Sequence, residues 1–342
     1  MKKGIFCVLV CMLMLLTTVV PISATTNWKR TSQPMTMGNI LYVGGLGPNN
    51  YSKIQDAIEN ATDGDTVFVY DDSSPYVENI LVDVSITLLG ENKSTTIVNG
   101  STNGTGENPL EHCGIWITAD TVTVSGFTVE GTNLSGIYVS SNHTTISDTI
   151  LSDNRYYGIV IGTSNQSGPY GICENNTIVN NLITHNVAGM WISGQNNIIK
   201  ENVITQNEIN LYVMFSMNNH ISQNIISESY TGVYISGSYN TLLYRNNISQ
   251  NDKGVYTMWT SADNILQNNF IGNNESASAA PGLFIQLYYK LKGEIPYPIH
   301  RSHWDKNFWD KPRVLPYKSP GILWFFIDWH PAKEPYDLPG MS

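Results

Sequence analysis

The chain has 342 residues, 18 Lys and Arg against 28 Asp and Glu, and a formal charge of −10. An acidic chain without a basic cluster argues against a nucleic-acid partner, because phosphate contacts dominate that affinity. Four cysteines in this length do not make a disulfide framework.

In chain order, Lys2 and Lys3 precede an apolar stretch over residues 4–20 and the small-residue segment Pro21-Ile22-Ser23-Ala24. This layout predicts a secretory signal peptide over 1–24. The apolar run is short for a bilayer span, and no second stretch of spanning length follows, so no membrane span is expected after cleavage. Cleavage leaves 16 basic against 28 acidic side chains, a formal charge of −12. It also leaves only Cys113 and Cys173, for which one bridge or none are both open. Residues 25–39 read as a linker.

Ser52-Lys53-Ile54-Gln55 matches a capping box, with Ser52 as N-cap and Gln55 as its reciprocal partner. Ile54, Ala57, Ile58 and Ala61 then share one helical face. The spacing predicts a short helix within 51–61 that caps one end of a core. Gly64-Asp65 turns the chain into a strand over 66–70, and residues 80–82, 86–89 and 96–98 read as further strands.

From residue 114 a repeat takes over. Gly114-Ile115-Trp116-Ile117 returns as Gly136-Ile137-Tyr138-Val139, Gly158-Ile159-Val160-Ile161 and Gly189-Met190-Trp191-Ile192. Asn210-Leu211-Tyr212-Val213, Gly232-Val233-Tyr234-Ile235 and Gly254-Val255-Tyr256-Thr257 complete the series, with steps of 22, 22, 31, 21, 22 and 22. The step of 31 is one period plus nine residues, which places a surface insertion at 163–171. A second column, Asn181, Asn202, Asn224, Asn246 and Asn268, keeps the same register. These asparagines are expected to turn inward and bond the backbone of the next coil.

A unit of this length with short apolar strands has no way to bury its own face, so copies must stack. A leucine-rich horseshoe needs a Leu/Asn consensus that is absent, and a propeller blade needs about twice the period. The expected fold is all-β: a right-handed parallel β-helix over 40–274. The aromatic, proline-rich segment 275–342 is expected to cover its other end.

The residues that open this array resemble a known group. Tyr51-Ser52-Lys53-Ile54-Gln55-Asp56-Ala57-Ile58, Asp63-Gly64-Asp65-Thr66-Val67-Phe68-Val69 and Tyr76-Val77-Glu78-Asn79-Ile80 look like the start of pectin-lyase-like β-helices. The repeats resemble the NosD-like family, also described as carbohydrate-binding and sugar-hydrolase repeats. The segment from Asn307-Phe308-Trp309 to Asp328-Trp329-His330-Pro331 is similar to tails of such proteins. The resemblance implies the fold. Its functions are mixed, spanning lyases, hydrolases, binding proteins and a copper association.

Four features are candidates for function. The residue two places after each glycine faces away from the core. It is Trp116, Tyr138, Val160, Trp191, Tyr212, Tyr234 and Tyr256, a column about 29 Å long at the usual strand spacing. The six aromatics are candidate glycan-binding residues; cross-strand support of the sheet is the competing account. Carboxylates such as Glu174, Glu201, Glu208, Glu228, Asp252 and Asp263 do not align into one column, and Tyr230 separates Glu208 from Asp252. A catalytic pair is therefore not expected. His300, His303 and His330, beside Asp305 and Asp328, are weak metal candidates, and no cofactor is expected. Eleven Asn-x-Ser/Thr sequons occur, of which loop positions such as Asn103 and Asn165 are the credible glycosylation sites.

The leading expectation is an exported, cell-surface or secreted, non-catalytic protein that binds polysaccharide or envelope glycans along the aromatic column. A polysaccharide lyase or glycoside hydrolase is the first alternative. A structural envelope protein or a copper-associated one is the second.

Overall fold

The computed structural model describes residues 38–100, 112–162, 173–258, 262–280, 302–318 and 327–338, which belong to one compact unit. The expected signal peptide and most of the linker lie outside the described residues, as does the 163–171 insertion.

Each coil has three short strands, as in Thr145–Ser147, Ile150–Ser152 and Tyr157–Ile161. Equivalent strands pair in parallel with the coil before and the coil after. They form three sheets of eleven, nine and ten strands, about ten coils in all. The ladder joins Tyr157–Ile161 directly to Ala188–Ile192 across the long step.

The period-two pattern decides what faces in. On the first face Ile146, Ile178, Ile199 and Ile221 stack in register, and all are fully buried. On the second face Leu151, Ile183, Ile204 and Ile226 do the same. Truncating one of them, as in Ile204→Ala, costs about 2–5 kcal/mol because the rigid stack leaves a cavity. The repeated glycine has its own reason. A Cβ at Gly232 would lie 2.6 Å from the carbonyl oxygen of Gly254, so that coil admits no side chain there; Asn210 holds the equivalent place one coil earlier.

Asparagine ladders hold the corners. Asn224 shows the pattern: its Oδ1 accepts from the Asn202 backbone N–H at 3.0 Å, and its Nδ2 donates to the Ile199 carbonyl at 2.9 Å and to Asn246 Oδ1 at 2.9 Å. The ladder runs through Asn181, Asn202, Asn224, Asn246, Asn268 and Asn307. Two further ladders occupy the other corners. One includes Asn186 and Asn207, with Asn251 and Asn273 beyond the break at Ser229. The other includes Asn176, Asn197 and Asn219. These side chains satisfy backbone groups that turn away from the sheets, which buried corners require. The residue before each ladder asparagine is left-handed, as at Asn180 (φ 58°), Glu201 (φ 58°) and Gln223 (φ 57°).

The N-terminal end is closed by the helix Ile54–Glu59, whose Ile54, Ala57 and Ile58 are buried. The expected capping box does not form. The N-cap position falls at Lys53, with no side-chain cap bond. Glu78 caps the helix instead, accepting from the Ile54 N–H at 2.9 Å and the Gln55 N–H at 3.1 Å. A full carboxylate suits the positive helix end better than a serine hydroxyl. Gln55 is thereby released to accept from the Leu81 N–H.

At the other end the ladders carry past residue 274. Glu275–Ala280, His303–Asp305 and Phe308–Trp309 each extend one sheet. Larger side chains then fill the core at this end, with Phe270, Trp304 and Trp309 buried. Trp309 stacks on Phe270 at 4.4 Å and on Tyr317 at 3.8 Å between ring centroids.

Candidate functional site

The third face carries the aromatic column in the register that the repeat implies. Trp116 pairs with Tyr138, Tyr138 with Val160, Val160 with Trp191, and Trp191 with Tyr212, Tyr234 and Tyr256 in turn. The six rings do not form one uniform stripe, however.

The continuous part is Trp191–Tyr212–Tyr234–Tyr256. Ring centroids are 5.3, 4.8 and 5.3 Å apart, with interplanar angles of 29°, 47° and 48°. The spacing follows the ladder; the angles show rings fanned rather than parallel. All four are half-buried, and burial pushes the Tyr212 and Tyr234 hydroxyls above the usual tyrosine range. Lys253 Nζ lies 5.3 Å from the Tyr256 ring and 5.5 Å from Tyr230, a cation between two π faces.

The remaining pair is different. Trp116 and Tyr138 meet edge to face at 6.4 Å, and the Trp116 indole N–H donates to Ser140 Oγ. Tyr138 points out of the coil but is only 8% exposed. It forms a small outer core with Cys113 and Val160, against which Trp116, Leu134, Tyr157 and Trp191 pack. Burial raises the Tyr138 hydroxyl to about 12. Tyr138 is therefore no part of an open platform. Alternation alone places a ring outside the coil and leaves its cover undecided.

Tyr157 is the residue that the repeat motif misses. It lies 5.8 Å from Trp191, edge to face, and bridges the gap that Val160 leaves. It occupies the place just before Gly158, and Tyr156 adjoins it at 6.3 Å. Aromatic identity immediately before a repeat glycine was the available signal.

Beside this face lies a shallow polar groove at the corner between the second and third sheets. Its lining includes Gln206, Glu208, Glu228, Tyr230 and Gln250. Gln206 Nε2 donates to Glu228 Oε2 at 2.9 Å. Tyr230, 58% exposed, stands in the coil between those of Glu208 and Asp252. The two acids are thus two coils apart, about 10 Å at the usual strand spacing.

Cys113 and Cys173 are both free and buried. Cys113 Sγ meets Ser135 Oγ at 3.2 Å, and burial raises its pKa. Burial pushes Cys173 to about 11. In the tail, His330 Nδ1 meets Asp305 Oδ1 at 2.8 Å, and His303 is exposed. His300 lies outside the described residues, as do Asn103 and Asn165. Another sequon residue, Asn247, is buried.

This architecture defines the class: the chain is a right-handed parallel β-helix protein with an aromatic stripe on one sheet. Residues 169–314 match the family model described as periplasmic copper-binding protein (NosD). No curated protein matches the sequence. Among solved structures, the chain is similar to pectate lyase Pel9A at 14% identity and a TM-score of 0.52, covering 80% of this chain and 76% of that one. It is also similar to tailspike protein 2 of Escherichia coli O157:H7 bacteriophage CAB120, at 15% identity and a TM-score of 0.54. That match covers 80% of this chain and 38% of the tailspike. At such identities these likenesses establish the fold. Among the described residues, no helix is long and apolar enough to cross a membrane.

The family description raises copper. Such a centre needs thiolate, thioether or imidazole donors brought together. Cys113 and Cys173 are buried apart from any histidine cluster, and no three His, Cys, Asp or Glu side chains among the described residues form a metal set. The described His, Cys, Asp and Glu side chains do not assemble a copper centre.

Proposed function

We propose that this is an extracytoplasmic, non-catalytic protein that binds polysaccharide along the third face, with Trp191, Tyr212, Tyr234 and Tyr256 as the platform. One observation carries the reading: four half-buried rings in consecutive coils form a continuous fanned stack. Aromatic rings with a polar tip offer apolar surface to sugar C–H groups and a hydroxyl to sugar oxygens. Tyr156, Tyr157 and Tyr230 widen the surface towards the corner groove. Export fits the periplasmic character of the matching family and the polar N-terminal charge before an apolar run.

The test is retention of the protein by immobilised polysaccharides, comparing wild type with a Tyr212→Ala/Tyr234→Ala variant that keeps its far-UV spectrum. Retention of the wild type by at least one glycan, lost in the variant, supports the reading. Absence of retention across a broad panel, or equal retention of both proteins, overturns it.

A further inference from the structure

The charge on the third face selects among glycans. We infer that its ligand is an uncharged polysaccharide rather than a polyuronate, an inference that rests on the glycan reading above.

The outward column beside the aromatic stack runs through Ser135, Tyr157, Ala188, Ile209 and Thr231 before it reaches Lys253 and Glu275. Those last two are direct partners in the ladder, so the one cation of this column has an anion in the next coil. Lys253 is also engaged by the Tyr230 and Tyr256 rings. The aromatic column itself carries no charge. At the rims, Glu208 and Asp252 flank one corner, and Asp120 and Glu174 lie on the other. Arg155 is a rim cation on the third-face side, and it lies over Tyr156.

A polyuronate presents one carboxylate per sugar. Holding it needs a row of Lys or Arg to replace lost hydration, because an unpaired charge brought against a partly buried surface is penalised. Among the described residues, the ladder offers one lysine over the coils of the stack, with Glu275 in register beside it. The chain as a whole, at −10, repels a polyanion at long range. Hydroxyl-bearing sugars face no such penalty. The groove beside the stack supplies amides, hydroxyls and carboxylates that bond neutral hydroxyl groups.

The experiment is affinity electrophoresis of the full chain through gels holding one of three probe sets: neutral glucan, mannan or xylan; polygalacturonate or alginate; and chitosan. Each is run at low and high salt. The expected result is retardation by a neutral glycan at least about tenfold stronger than by either polyuronate, unchanged by salt. Lys253→Gln should leave that retardation within about twofold. Equal or stronger retardation by a polyuronate, a large loss on Lys253→Gln, or binding to chitosan alone overturns the inference. The two failures are distinguishable. Polyuronate binding that Tyr212→Ala/Tyr234→Ala abolishes leaves the column as a glycan site and removes only the charge argument. Retardation by no probe removes both.

Discussion

Asp328 Oδ2 accepts from the Asn307 backbone N–H at 2.9 Å and from its Nδ2 at 3.2 Å, so a buried carboxylate ends the longest asparagine ladder. The ladder has a direction. Each asparagine oxygen accepts from the coil before it, so the last coil is left with donors and no following oxygen. A carboxylate, with acceptors only, suits that end. Asp328 also accepts from the Lys306 and His330 N–H groups and from the Trp309 indole N–H.

Asp328→Ala should therefore loosen the C-terminal coil. It strands several buried donors at about 1–3 kcal/mol each, partly relieved by water, so a loss of about 3–5 kcal/mol is expected. Because stacked coils open locally, the loss should appear first as faster amide exchange over 303–309, with coils near Asn202 unchanged. Uniform exchange across the chain would contradict this directional account.

The left-handed residues give a second prediction. Gln223 is exposed at φ 57°, and its backbone N–H is held by the Tyr244 carbonyl. A side chain in that region is strained by about 1–2 kcal/mol, and glycine relieves the strain. Glycine also raises the entropy of the unfolded chain by roughly half that amount. Gln223→Gly should thus hold or raise stability by up to about 1 kcal/mol in urea unfolding. Gln223→Val should lower it, since a β-branched side chain tolerates positive φ least.

Much of this is legible in the sequence alone. The glycine-apolar-aromatic-apolar spacing yields the ladder register and the inward isoleucines because a two-residue period leaves no other choice. The asparagine column at Asn181 was legible for the same reason. The other two ladders were not, since Ser229 and Thr241 interrupt their identity while keeping their place. Glu78 was invisible as a helix cap because it acts across 24 residues of sequence. The cover over Tyr138 was equally hidden: alternation gives a direction, and burial depends on what the neighbouring coils carry.

The thiols supply a third prediction. Burial holds Cys173 at about 11 and raises Cys113 as well. Thiolate is the reactive form, so neither should react with Ellman's reagent at pH 8 in the folded protein, and both should react once unfolded. Tyr138 adds a pH dependence of stability. Its folded value of about 12 lies above the usual tyrosine value of 10.0, so the folded state keeps a proton that the unfolded state releases. Stability from this group is complete below pH 10 and falls between pH 10 and 12. Tyr138→Phe should flatten that fall in urea titrations across the window. Rapid labelling of either thiol in the native state would show that the burial described at Cys113 and Cys173 is wrong.

The last prediction separates support of the sheet from recognition of a ligand at Tyr234. The ring stacks between Tyr212 and Tyr256, and its hydroxyl meets the Met258 sulfur at 3.8 Å. Ring pairs contribute about 0.5–1.5 kcal/mol beyond area burial. Tyr234→Phe keeps both stacks and removes the hydroxyl; Tyr234→Leu keeps most apolar area and removes the π face. If the column only braces the sheet, Phe is neutral, Leu costs about 1–2 kcal/mol, and no glycan distinguishes them. If it holds sugar, Leu loses retention on the neutral glycan while its unfolding midpoint moves by no more than that stacking contribution. Phe then shows a partial loss, from the missing hydroxyl bond alone. The pairing of unfolding with retention on the same two variants is decisive, because bracing predicts a change in unfolding alone and recognition predicts that Leu loses retention as well.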